Sequence, residues 1–180
     1  MCYGVRLGWE QPVRVVVPDA GFYALQTERD AMGDMMPELA FGQLEAIEVD
    51  PRCGDELEPL KELAEPSVVT VKNGLDMEPV YAFRLLASRM EDRHLILLKD
   101  TLVPGSVSDE DVPLVAARNI GSLLSDGIGD AVLIQGESDP RLASFLGFNI
   151  LQATGTRLTR ADYVSCPSCG RTLYNCLLYT

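Results

Sequence analysis

The chain is poor in several things. Its one histidine, His94, opens a strand-like run. No Cys/His or Ser/His pairing can be proposed for it, so nucleophile arrangements built on histidine are excluded and a packing role is expected. No apolar run approaches the length of a bilayer-spanning helix, and the first residues, Met1-Cys2-Tyr3-Gly4-Val5-Arg6, lack a signal-peptide pattern. A soluble, cytoplasmic protein without membrane contact is the expectation. Basic residues are scarce, 15 Lys and Arg against 27 Asp and Glu, for a formal net charge of −12. Such a surface repels phosphate backbones, so nucleic acid is not an expected partner. Five cysteines without a secretion pattern argue against a disulfide framework, and Cys2 and Cys53 read as incidental.

Apolar residues are plentiful instead. At 47% of 180 residues they suffice for a buried core, which suits one domain or one plus a piece of another. After an unpatterned tail over 1–12, strand-like and helix-like runs alternate. Strands are expected at 13–17, 44–49, 67–72, 94–99 and 131–135, short β-branched or leucine-rich runs of which the first four are closed by Pro, Asp or Asn-Gly. Helices are expected at about 21–39, 56–64, 78–90, from Ser108 to Ser125, and from Pro140 to about 153. Ser108 suits the cap of the fourth of these, and Pro140 the first turn of the last. Near-continuous apolar strands alternating with helices indicate α/β architecture, with a parallel sheet covered on both faces. Five units would make more than half of a (β/α)8 barrel, or a complete open sheet.

In either form the strand C-termini gather at one face: Asp19, Asp50, Lys72 with Asn73, Lys99 with Asp100, and Glu137. A desolvated Lys72 or Lys99 could form a Schiff base, with Asp100 carrying the proton, which would make the chain an aldolase-type lyase. The bland alternative has these residues pairing among themselves. Asp126-Gly127-Ile128-Gly129-Asp130 looks like a phosphate loop, but it follows a helix and precedes a strand, on the face of a barrel that carries stability. Its glycines read as a helix cap and a tight turn. Arg157 and Arg160 form a basic patch beyond the last helix.

The most chemical stretch is Tyr163-Val164-Ser165-Cys166-Pro167-Ser168-Cys169-Gly170-Arg171-Thr172. Two thiols three positions apart across a stiff Pro-Ser pair can reach one metal ion from a single turn, as in an iron–sulfur site or half of a zinc ribbon. Together with Ser125 to Asp130 and Asn149-Ile150-Leu151-Gln152, this stretch resembles the 4-hydroxy-3-methylbut-2-enyl diphosphate synthases, iron–sulfur oxidoreductases of the non-mevalonate isoprenoid pathway. The likeness is to their large, plant-type form, which carries an inserted domain before the cluster domain.

The resemblance implies a partial TIM-barrel-like inserted domain over 13–158, then the first strand and cysteine turn of an iron–sulfur domain over 159–180. It implies that Cys166 and Cys169 are ligands of a [4Fe–4S] cluster. It further implies a cyclic diphosphate substrate, a ferredoxin or flavodoxin electron donor and a homodimer. Ser165 and Thr172 would donate to the sulfurs, and Arg171 would offset the cluster's charge. The family's third cysteine and its glutamate ligand have no counterpart here, and Cys176 cannot stand in for them. The expectation is therefore an internal piece of the enzyme, inactive alone. A spacer or zinc-binding module is the alternative.

Overall fold

The computed structural model describes residues 7–8 and 11–161. Its centre is a six-stranded sheet in which every neighbouring pair is parallel. The strands are β1 (Arg14–Val17), β2 (Leu39–Ala40), β3 (Ile47–Val49), β4 (Val68–Val71), β5 (Leu95–Lys99) and β6 (Ala131–Leu133). They lie in the order β2-β1-β6-β5-β4-β3. Followed around a curled sheet, that is the chain order of a (β/α) barrel with one seam, between β2 and β3, left unpaired. The partial-barrel expectation holds.

Side-chain alternation gives the sheet two cores. Val16, Leu39, Val68, Leu97, Ala131 and Leu133 share the inner cluster with Leu44, and Leu7 packs there from the N-terminal segment. Val15, Val49, Val69, Val71, Ile96, Leu98 and Val132 turn outward to the helices. Both faces of β1, β2, β4, β5 and β6 are thus covered, which is why those strands lack a polar period, while β3 at the seam leaves Glu48 exposed.

The helices are α1 (Asp19–Leu25), α2 (Arg29–Met32), α3 (Gly54–Glu62), α4 (Pro79–Arg89), α5 (Val112–Ala116), α6 (Ser122–Ser125) and α7 (Pro140–Ala153). The last matches expectation closely: Pro140 takes the first turn and Asp139 accepts the Arg141 N–H at 2.8 Å.

Two helices differ from expectation. The run expected over 21–39 breaks into α1, α2 and two 3-10 turns, with Gly33 at φ 52°, and then yields an unforeseen strand, β2. Leu39 and Ala40 are drawn into the ladder beside Val16 and Val17, where tertiary pairing outweighs local helix preference. The run from Ser108 starts late, at Val112. The Ser108 hydroxyl donates to the Asp111 carboxylate (2.7 Å) instead of capping a backbone N–H. A π-helical turn, Ala117–Gly121, interrupts it and turns Asn119 inward, where its amide donates to the Asp100 carbonyl at 2.7 Å.

Candidate functional site

The strand C-termini do gather at one face, and a buried lysine lies there. Lys99, the last residue of β5, follows Leu95 and Leu97 on the inner side of the curl, and its side chain is fully buried. Its ammonium donates to Glu48 of β3, to the Val71 carbonyl at 2.9 Å and to Asn73 Oδ1 at 3.1 Å. The Phe41 ring lies 5.5 Å from Nζ. Burial pushes the Lys99 pKa below the ordinary lysine value, and Glu48 opposes the shift.

The neighbouring residue faces the other way. The Asp100 carboxylate accepts the Gln135 N–H at 2.8 Å and the Gly136 N–H at 3.0 Å, tying the end of β5 to the loop after β6. A Cβ on Gly136 would stand 2.7 Å from Asp100 Oδ2, so that close approach needs glycine. Burial raises the Asp100 pKa against the backbone N–H groups that lower it. The Gln135 side chain completes the layer, with its amide donating to the Thr101 carbonyl and to Asn73 Oδ1.

This arrangement answers the Schiff-base reading. A nucleophilic lysine needs a free amine beside a space for the carbonyl and a proton carrier within reach. All three N–H donors of Lys99 are engaged, and Asp100 points to the opposite side of the strand. Lys72 pairs with Glu56 at 2.6 Å near the surface, and that contact raises its pKa. Asp50 is held by Arg52 at a pKa of about 2. Asp19 accepts the Gly42 N–H, and Glu137 accepts the Asp139 N–H. The charged groups of this face are thus held either in ion pairs (Lys99–Glu48, Lys72–Glu56, Arg52–Asp50) or, for Asp19, Asp100 and Glu137, by backbone N–H groups.

The opposite face supports the reading of the glycine loop as a turn. Gly127 has φ 78° and Gly129 has φ 118°, and a Cβ on Gly129 would come within 2.5 Å of Leu98 Cδ1. Asp130 accepts the Ile96 N–H at 2.9 Å, and burial raises its pKa. His94 is buried, and its Nδ1 accepts the Ser67 N–H at 3.2 Å, the packing role expected of it.

Arg157 and Arg160 do not form a basic patch. Arg157 pairs with Glu38 and lies 5.1 Å from the Phe148 ring, while Arg160 donates to Asn149. Arg157 turns its charge inward on Glu38, 119 positions away, whereas Arg160 stays exposed and meets the nearby, neutral Asn149.

Sequence reasoning missed Glu48 and Glu38. Glu48 carries a signal, a lone charge between Ile47 and Val49 on an otherwise apolar strand. Glu38 lay inside the expected helix and carried none.

Cys166 and Cys169 lie outside the described residues, as do Ser165, Arg171, Thr172 and Cys176. Cys53, at the start of α3, is a free thiol. Among the described residues no group of three or more His, Cys, Asp or Glu side chains could hold a metal ion, and no helix is long and apolar enough to cross a membrane.

No family model matches the chain. Curated relatives do. Over 175 residues, 97% of its length, the chain is 91% identical to the 4-hydroxy-3-methylbut-2-en-1-yl diphosphate synthase (flavodoxin) of Akkermansia muciniphila. It is 48% identical over 67 residues to the flavodoxin-type synthase of Protochlamydia amoebophila, and 44% over 73 residues to the chloroplastic, ferredoxin-type synthase of rice. These matches cover 37% and 40% of the chain. The chain spans 30% of the Akkermansia protein, and its matches cover 10% of each of the other two. The resemblance first carried by the cysteine turn and its approach therefore runs along nearly the whole chain.

Proposed function

We propose, from a chain that matches one stretch of the 4-hydroxy-3-methylbut-2-en-1-yl diphosphate synthases, that it supplies a structural domain and part of the cluster site of such an enzyme. The observation that carries this is the 91% identity to the Akkermansia synthase over 97% of the chain. The whole enzyme would open 2-C-methyl-D-erythritol 2,4-cyclodiphosphate reductively and remove a hydroxyl in isoprenoid biosynthesis. Its electrons would come from flavodoxin, the donor in the Akkermansia protein's name, or from ferredoxin, the donor named for the rice protein. Residues 13–158 would be the barrel-like inserted domain of the large form, and 159–180 the start of the iron–sulfur domain, in a cytoplasmic protein.

Cys166 and Cys169 would be two of the cluster's ligands, because soft, anionic thiolates at C-x-x-C spacing suit iron. A bound [4Fe–4S] cluster would relay the donor's two electrons one at a time to the substrate. The described residues would do no chemistry. The charged groups at the strand C-termini are engaged with neighbouring side chains and backbone groups, which fits a domain that positions the cysteine-bearing segment.

Anaerobic reconstitution of the 180-residue chain with iron and sulfide tests this. Sub-stoichiometric iron–sulfur absorption that disappears in both Cys166→Ser and Cys169→Ser is the expected result. Tight zinc binding with no iron–sulfur signal would overturn the ligand assignment and favour a zinc module. A further expectation is that the chain alone does not turn over the cyclic diphosphate with a reduced donor.

A further inference from the structure

β1 begins and α7 ends at the N-terminal face of the sheet, so the chain comes into the partial barrel and leaves it on one side. A network of part-buried charges joins the two points. The guanidinium of Arg157, four residues past the end of α7, donates to the Val13 carbonyl at 3.3 Å and pairs with Glu38. The other oxygen of Glu38 accepts the Val15 N–H at 2.9 Å, and Arg14 lies 3.5 Å from the carboxylate. These three side chains keep only 16–20% of their exposure. The Phe148 ring packs beside the Arg157 guanidinium, and the Arg157 N–H is tied to the Leu151 carbonyl at 3.3 Å.

We propose that Arg157, Glu38 and Arg14 form a clasp that holds the two ends of this domain together. Val13 and Arg157 are then held side by side at the N-terminal face, while the described residues before Val13 turn under the sheet, where Leu7 packs on the inner cluster. The domain does not act as a strut that holds its flanking parts a barrel's width apart. An isolated surface ion pair would not fix such a geometry. This one is shielded from solvent, shared among three charges and anchored to backbone groups on both segments, which is where a salt bridge is most specific. The planar fork of arginine matters because Arg157 must reach a carboxylate and a carbonyl together. Cys166 lies nine positions beyond Arg157, a reach of at most about 30 Å of extended chain. The clasp thus also limits how far the cysteine turn can stand from the point where the chain comes in. The inference does not depend on what metal the cysteines hold.

Spin labels at Pro12→Cys and Leu158→Cys, both at exposed positions beside the clasp, test it in the full chain with its five native cysteines changed to serine. Strong dipolar broadening, for a separation of about 10–20 Å, is expected, since the labelled backbones flank a single side-chain bridge. Arg157→Ala is expected to lengthen and spread that separation while the helix and strand circular dichroism is retained, and Arg157→Lys to restore it in part. Glu38→Gln is the second probe should Arg157→Ala fail to fold, with the same lengthening expected. Labels beyond about 30 Å apart in the unsubstituted clasp, or a separation unchanged in a folded clasp variant, would overturn the proposal.

Discussion

Substitutions at Lys99 weigh two opposing terms: the lysine's contacts and the cost of burying its charge. Truncation to alanine removes the buried stem beyond Cβ, a loss of about 2.5 kcal/mol at ~0.8 kcal/mol per methylene. It also leaves the Val71 carbonyl without its side-chain donor, about 1–3 kcal/mol more. Removing a desolvated ammonium returns part of this, because the burial penalty of a charge is several kcal/mol. Lys99→Ala is therefore expected to cost a net ~2–4 kcal/mol. Lys99→Met refills the stem and removes the charge, so it should fall within about 1.5 kcal/mol of the parent in either direction. Glu48→Gln keeps a neutral partner, and since Glu48 keeps 40% of its exposure the charge lost is partly screened, for a cost of about 1–2 kcal/mol.

The expected order of destabilisation is thus Ala, then Gln, then Met, in urea unfolding followed by far-ultraviolet circular dichroism. The pH dependence has a definite sign. The folded-state pKa of Lys99 is lowered, so the unfolded chain binds that proton more tightly. Stability relative to Lys99→Met should then rise as pH climbs through the lowered value toward the ordinary lysine range, and level off above it. A methionine variant less stable than the alanine one, or a relative stability that falls over that window, would refute the reasoning.

Gly129→Ala combines a positive φ with contact against Leu98 and should cost ~2–4 kcal/mol, whereas Gly127→Ala, with open space around it, should cost about 1 kcal/mol. Thermal denaturation distinguishes them. Asp50 titrates at about 2 because Arg52 holds it. Its contribution is fully present above the unfolded value near 3.8 and is lost as pH falls through about 2, and Arg52→Ala should move the carboxyl shift in an NMR titration upward. Asp100→Asn can present only one acceptor oxygen to two backbone N–H groups, so a loss of ~2–3 kcal/mol in chemical denaturation is expected.

Much of this fold could be read locally. The runs 67–72 and 131–135 are short, β-branched and bounded by turn residues, and both became parallel strands. Pro140 and Asp139 marked the start of α7 because first-turn chemistry is local. What escaped was non-local. Nothing in Pro37-Glu38-Leu39-Ala40 says that Leu39 will lie beside Val16 or that Glu38 will meet Arg157, 119 positions away. The lysine–acid grouping at the strand ends was visible. Its inertness was not, because that depends on Lys99 and Asp100 facing opposite sides and on acceptors from three other elements. The cysteine turn, outside the described residues, rests on its C-x-x-C spacing and on the family resemblance of its flanks.

The unpaired seam between β2 and β3 has a mechanical consequence. A sheet closed all round resists swelling through every strand pair, but a split ring concentrates its compliance at the gap. Here the gap is spanned by the linker through Phe41 and Leu44, and the Phe41 ring lies 5.5 Å from the Lys99 ammonium that holds Glu48 of β3. Breathing of the core should open at the lips of that gap first, so amide exchange in β3 should outpace exchange in β5 and β6, which are held on both sides.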